Sequence, residues 1–199
     1  MARRPITPER LVRISAACAD AIAADPGAVP SVASLAAAAG ISERSFYRYF
    51  PTKEECLRPL FDDGNRAFAR ALAARPAESG LVAALHGVFV EVFPDELESR
   101  SRAIMSAVIA DPSLRRVWLE ASYDTVHLIR PTVAGLLGRP DGSVAVTAAC
   151  WSAVAFVMAA VEHLVAEGSH PSELADELAG SLPETVRDRM PSQHERMES

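Results

Sequence analysis

Residues 31–53, SVASLAAAAGISERSFYRYFPTK, constrain the fold more than any other stretch of the chain. They read as two short helices joined by a tight turn. Ser31 follows Pro30 and can cap the first helix, because the first turn leaves backbone N–H groups unpaired. Val32, Leu35, Ala36 and Ala39 fall on one face at i, i+3, i+4 and i+7. Gly40 stands just past that helix, where a left-handed backbone suits glycine. Ile41 plugs the corner. Ser42 can cap a second helix over 43–50, and Glu43 suits its positive N-terminal end. Pro51 stops that helix and Thr52 caps a third.

Small residues where two helices cross, glycine in the turn and a short polar and aromatic helix together make a helix-turn-helix pattern. The alanine run 36–39 lets the helices approach closely. Phe46 and Phe50, four apart, face inward. Glu43, Arg44, Ser45, Tyr47, Arg48 and Tyr49 are left for the other faces. Arg44 and Arg48, one turn apart, can reach guanine edges or phosphates, and Tyr47, Tyr49 and Lys53 can donate to phosphates. On spacing alone, an amphipathic helix pair with solvated arginines fits equally well.

The segment resembles the DNA-binding domain of the TetR family of transcriptional regulators. The residues that carry the resemblance are Ser31, Leu35-Ala36, Ala39-Gly40-Ile41-Ser42, Phe46-Tyr47-Arg48-Tyr49-Phe50 and Thr52-Lys53-Glu54. It covers roughly the first quarter of the chain; beyond that, only length and a helical pattern agree. The resemblance implies that Ser42, Glu43, Arg44 and Tyr49 meet bases or the groove floor, and that Ser31, Tyr47 and Lys53 meet phosphates. Position 44 is often a small residue in the family. Arginine there makes Arg44 the candidate base reader, while Arg48 fits a phosphate contact equally well.

A net charge of −6 over 199 residues would argue against a nucleic-acid partner if it were evenly spread. It is not. Residues 1–53 hold seven Lys/Arg against four Asp/Glu, and residues 54–199 hold thirteen against twenty-two. A basic head on an acidic body orients the molecule on a polyanion. A hydrophobic content of 49% and mean hydropathy of +0.10 fit a globular chain long enough for a sizeable core. No alternating run of strand length occurs, so the fold class is all-α. Cys18, Cys56 and Cys150 are widely spaced and read as buried free thiols, with no CxxC and no clustered histidine. The basic start, Met1 to Arg4, is followed by no continuous apolar core of a signal peptide. The apolar stretch 144–161 is near the length of a membrane span, but acids flank it and alanines dilute it. It reads as a buried core helix, with no membrane partner, and the protein is expected in the cytoplasm.

Residues 1–6 read as an arm. Arg3 and Arg4 suit a minor groove or simply solvent. Thr7-Pro8-Glu9 starts helix 1, with Leu11, Ile14, Cys18, Ala21 and Ile22 as its stripe. The fourth helix is expected over 53–74, with Leu57, Phe61, Phe68 and Leu72 inward and Pro59 bending it near 55–59. In TetR-like proteins this helix links the two domains, so Pro59 is either a hinge or a static kink. Helices follow over 79–93, 97–110, 113–137, 141–167 and 171–182, about nine in all. The eighth shows the stripe Val144, Ala148, Trp151, Ala155, Met158, Val161, Leu164, Val165 but is apolar nearly all round, so it must be covered on most sides. The resemblance implies that the last two long helices pair with those of a second copy. A two-fold homodimer would put two recognition helices on one face of double-stranded DNA, at a palindromic operator.

The division expected is a helix-turn-helix DNA-binding domain over 1–52, a helical ligand-binding and dimerisation domain over 53–185, and a polar tail over 186–199. Phe89, Met105, Trp118, Trp151 and Met158 can line an effector pocket, with His86, Tyr123 or His127 as polar contacts; each also suits plain core. A small, fairly apolar effector follows. Three functions compete. The first is a repressor released from its operator by that ligand. The second is a DNA-binding regulator controlled instead by a protein partner or its thiols. The third is an enzyme, for which His163 with Glu162 and Glu167 is too small a set, with no phosphate loop or nucleophile motif beside it. No cofactor and no metal are called for.

Overall fold

The structure, a computed structural model, describes residues 6–25, 27–92 and 99–166, together with residues 173, 174, 176, 177 and 180. Among them are eight α-helices and no strand: α1 Pro8–Ala23, α2 Val32–Ala38, α3 Glu43–Tyr49, α4 Arg58–Ala73, α5 Gly80–Val92, α6 Ser99–Ala110, α7 Pro112–Leu137 and α8 Val144–Ala166. The fold is all-α, as the sequence predicts. The ninth helix, expected over 171–182, lies mostly outside the described residues; the five described positions within it are helical. The tail 186–199 and the arm 1–5 also lie outside them.

Compactness groups the chain into two units, Met1–Asn65 with Glu98–Ser122 and Arg66–Leu97 with Tyr123–Ser199. This is a separate matter from the division of labour expected at residue 52. Helices α4 and α7 contribute residues to both units.

In the first unit α1 packs on α2, α6 and a 3₁₀ turn at Glu54–Leu57, and α2 packs on α3. Thr7 caps α1 by accepting from the Arg10 N–H at 3.3 Å, and Pro8 follows as the first helical residue. The Glu9 carboxyl is held below its ordinary range by the backbone N–H at the helix start and by the Thr7 hydroxyl. Ile14, Cys18, Ala19 and Ile22 of α1 meet Leu35, Ala36, Phe46 and Phe50 in a core from which solvent is shut out. An Arg100–Asp20 ion pair at 2.6 Å joins α6 to α1 on the outside.

Pro59 is a correction. The expected helix over 53–74 is divided at residues 57 and 58, within the range expected for a bend, and Pro59 lies just inside its second part. Thr52 accepts from the Glu55 N–H at 3.3 Å, the 3₁₀ turn Glu54–Leu57 follows, and α4 starts at Arg58. Pro59 is the second residue of α4, where its missing N–H would have had no helical partner. It opens the helix and does not interrupt one. The next donor, the Leu60 N–H, is taken by the buried Ser15 hydroxyl of α1 at 3.1 Å. Pro131 does lie inside α7.

The core of the second unit gathers Leu72 of α4, Leu81, Leu85, Val88 and Phe89 of α5, Ile129 and Val133 of α7, and Val146, Cys150, Ala153, Phe156 and Leu164 of α8. Phe89 and Phe156 meet edge to face with ring centres 5.9 Å apart. Gly138 (φ +60°) ends α7, with the Arg139 N–H returning to the Ala134 carbonyl at 3.1 Å. Helix α8 is long and apolar enough to cross a membrane by length and composition, with mean hydropathy 2.1 in its most apolar window. Of the expected stripe, Val161 and Leu164 turn inward, but its first turns do not. Val146, Ala149, Cys150, Ala153, Val154, Phe156 and Ala160 are buried, whereas Val144 (85% exposed), Ala148, Trp151 (42%) and Ala155 look outward. An apolar helix carries no polar face to reveal which side turns inward.

Candidate nucleic-acid interface

The turn between α2 and α3 is built by local rules. Ser31 accepts from the Ser34 N–H at 3.2 Å to open α2. The helix closes at Gly40 (φ +64°), whose N–H goes to the Ala37 carbonyl at 3.1 Å while the Ile41 N–H goes to the Ala36 carbonyl at 2.9 Å. This paired closure satisfies two carbonyls that the helix end would leave open, and it needs the left-handed residue. Two residues later Ser42 accepts from the Ser45 N–H at 3.2 Å and opens α3. Phe50, held extended ahead of Pro51 (φ −128°, ψ 122°), ends it.

Phe46 and Phe50 anchor α3, both buried and 5.0 Å apart ring to ring. The opposite face is fixed by exclusion. Glu43, Arg44, Tyr47 (60% exposed) and Arg48 project to solvent, with Ser42 exposed at the start. Arg44 is exposed and makes no hydrogen bond or ion pair with any described residue. Arg48 is held differently. One of its terminal nitrogens donates to the Tyr49 hydroxyl at 2.7 Å and to the Ser45 hydroxyl at 3.4 Å, and its guanidinium carbon lies 4.7 Å from the Tyr49 ring centre. Lys53 is also tied down, its ammonium donating to the Val29 carbonyl at 3.1 Å.

The nine residues singled out for DNA thus lie on one short stretch: Ser31 opens α2, Ser42 to Tyr49 form the start and outer faces of α3, and Lys53 stands beside the 3₁₀ turn. Two of their functions were not visible in sequence. Ser45 is the hub joining Ser42 to Arg48, and Val29 holds Lys53 through a backbone carbonyl that no side-chain pattern announces.

The eight effector candidates divide. Met105 and Trp118 belong to the first unit, the other six to the second. Trp118 and Phe89 are buried, Met105, Met158 and His86 are half-buried, and Tyr123, His127 and Trp151 are exposed. Within the second unit the Tyr123 ring meets Trp151 at 5.2 Å and His127 at 6.1 Å, an aromatic cluster across α7 and α8. His86 bonds to Asp176 at 2.9 Å. Glu167, part of the enzyme reading, lies outside the described residues. Among the described residues no group of three or more His, Cys, Asp or Glu could hold a metal ion.

The family model for bacterial regulatory proteins of the tetR family matches residues 26–60, the span built above. The model for the MftR C-terminal domain matches residues 75–188. No curated protein matches the chain in sequence. Solved structures share the fold. A transcriptional regulator from Rhodococcus sp. Rha1 is 20% identical, with 94% of this chain and 100% of that one covered and a TM-score of 0.61. The multidrug binding protein EbrR, complexed with imidazole, is 22% identical, with coverage of 94% and 99% and a TM-score of 0.57. NalD, the secondary repressor of the MexAB-OprM multidrug efflux pump in Pseudomonas aeruginosa, is 15% identical, with coverage of 92% and 98% and a TM-score of 0.56.

Proposed function

Because the chain belongs to the TetR family of bacterial regulatory proteins, we propose that it is a cytoplasmic, non-enzymatic repressor that binds a palindromic operator as a homodimer and leaves it when a small, fairly apolar ligand binds. The observation that carries this reading is the outer face of α3. A capped helix, anchored by two buried phenylalanines, presents two arginines and two tyrosines. In the proposed complex Arg44, exposed and without a partner among the described residues, reads a base edge, with Ser42, Glu43, Ser45 and Tyr49 beside it on the groove. Ser31, Tyr47, Arg48 and Lys53 position the helix through phosphates. Lys53 and Arg48 are already oriented, which lowers the ordering cost of those contacts.

The homodimer is supported by the outward apolar face of α8, Val144, Ala148, Trp151 and Ala155, with Tyr123 of α7 against it. A second copy burying the same face through a two-fold axis would cover it. The effector is proposed to contact residues among His86, Phe89, Met105, Trp118, Tyr123, His127, Trp151 and Met158. The multidrug binding protein EbrR and NalD, repressor of a multidrug efflux pump, share the fold; the apolar ligand class is inferred from the aromatic and methionine side chains among these residues. Ligand acts by favouring a dimer whose two α3 helices no longer fit successive grooves; only such differential affinity releases DNA.

The test is binding of the purified protein to DNA from upstream of its own gene over a salt series. Arg48 and Lys53 of each of two subunits neutralise about four phosphates, so log affinity should fall with log salt at a slope of about −4. Absence of binding at low salt across several upstream fragments would overturn the reading.

A further inference from the structure

Cys18 on α1 and Cys56 in the 3₁₀ turn Glu54–Leu57 come from elements that pack on each other, and both side chains are wholly shut off from solvent. The two thiols are neighbours, close enough for each to shift the ionisation of the other. The Cys56 thiol beside it favours the Cys18 thiolate. The same contact, with burial and the nearby Glu54 carboxylate, opposes ionisation of Cys56. The Cys18 sulfur also points at the Leu35 carbonyl of α2, 3.8 Å away. Three elements of the first unit therefore converge on one sulfur pair, which the proposed DNA contacts do not use.

We propose that Cys18 and Cys56 are a redox device that regulates the DNA-binding face: hydrogen peroxide converts them to a disulfide, and the oxidised protein binds its operator more weakly. The inference rests on the DNA-binding reading above. In the first step the Cys18 thiolate attacks one peroxide oxygen, the O–O bond breaks, hydroxide leaves and Cys18 becomes a sulfenic acid. In the second the Cys56 sulfur attacks the Cys18 sulfur, the S–O bond breaks and the oxygen departs as water with the Cys56 proton. Two thiols and one peroxide give one disulfide and two waters; the sulfurs are oxidised and the peroxide is reduced.

Burial sets the selectivity. Neither sulfur has exposed surface, so oxidant enters only when the packing around the 3₁₀ turn opens transiently, an opening that passes hydrogen peroxide more readily than oxidised glutathione. Geometry sets the consequence. A disulfide holds its sulfurs at about 2.05 Å, closer than any contact between free thiols, so the 3₁₀ turn must draw toward α1. That turn directly follows Lys53, which is pinned to Val29, and precedes Leu60, which is pinned to Ser15 of α1. Lys53 and the end of α3 must then shift from the arrangement that the reduced protein presents. Cys150, buried in α8 with its thiol pushed up by that burial, has no such partner and serves as an internal control.

The experiment treats the native full-length protein with hydrogen peroxide, blocks the remaining thiols and maps disulfides by peptide mass. Binding to the upstream DNA fragment is measured before oxidation, after it and after reduction with dithiothreitol. The expected result is a Cys18–Cys56 cross-link lacking two hydrogens in the wild type and in Cys150→Ala, and none in Cys18→Ala or Cys56→Ala. Affinity should fall at least about tenfold on oxidation and return on reduction, with Cys56→Ala insensitive. Oxidised glutathione should leave the pair reduced. Failure of the 18–56 cross-link to form in the wild type overturns the proposal without any variant being needed. A cross-link that leaves affinity unchanged overturns its regulatory half. If the reduced protein does not bind DNA at all, the functional reading fails instead, while the cross-link is still read by mass.

Discussion

Two glycines of the first unit receive the same added methyl and should respond with opposite sign. Gly40 closes α2 at φ +64°, and a Cβ built there meets nothing within 4 Å. The cost of Gly40→Ala is therefore backbone strain alone, about 1–2 kcal/mol for a left-handed L-residue. The stiffer unfolded chain offsets part of that, leaving about 1 kcal/mol of destabilisation. Gly64 sits inside α4 in a right-handed conformation, and a Cβ there also meets nothing within 4 Å. Gly64→Ala removes only the entropic penalty of a helical glycine and should stabilise by about 0.5–1 kcal/mol. With a urea m-value of about 2 kcal/mol/M, the unfolding midpoint should drop by about 0.5 M for the first variant and rise by about 0.3–0.5 M for the second. Helicity followed by circular dichroism reads both. Gly40→Asn should recover much of the loss, since asparagine tolerates the left-handed region. Shifts of the same sign for the two alanine variants, or a neutral Gly40→Ala, would refute the assignment of Gly40 as a conformational requirement and with it the geometry of the turn.

Ser15→Ala should destabilise by about 1 kcal/mol, because the partly buried Leu60 N–H loses its acceptor; amide exchange at Leu60 should accelerate, and unchanged protection would show that another group takes the proton. Ser42→Ala should cost about 1 kcal/mol and weaken DNA binding beyond what Ser31→Ala does, since it frays the reading helix itself; equal losses in titrations of the upstream fragment would contradict that ranking. Trp151→Glu should turn the dimer into a monomer in sedimentation, and a dimer that persists would move the subunit interface elsewhere.

The sequence was most informative where structure is decided within a few residues. Thr7, Ser31, Ser42 and Thr52 each cap as their position implies, Gly40 takes the left-handed corner, and the i, i+4 pair Phe46 and Phe50 turns inward. Pro59 shows where a local rule overreached. Proline in an apolar periodic run predicts a bend, but nothing nearby in sequence tells an interrupted helix from one that begins a residue earlier. The partner that completes that helix start, Ser15, lies 45 residues away. The same distance problem hid the Arg100–Asp20 pair and the meeting of Cys18 with Cys56. In α8 the difficulty was of another kind. With apolar residues all round, periodicity cannot choose a face: the stripe through Val144 and Trp151 faces outward, while its continuation at Val161 and Leu164 is buried. In the reading face, residue types were legible, but their preparation was not: Arg44 and Arg48 look alike in sequence, yet one is free among the described residues and the other is stacked and bonded.

The central claim is that α3 reads operator sequence through Arg44. It is tested most directly by selecting binding sites from a randomised DNA pool with the wild type and with Arg44→Ala in parallel. The account predicts a two-fold-symmetric motif for the wild type. For the variant it predicts the same spacing with one guanine-containing position relaxed in each half-site, at a cost of about 1–3 kcal/mol. No enriched motif for the wild type, or an identical motif for both proteins, would contradict it.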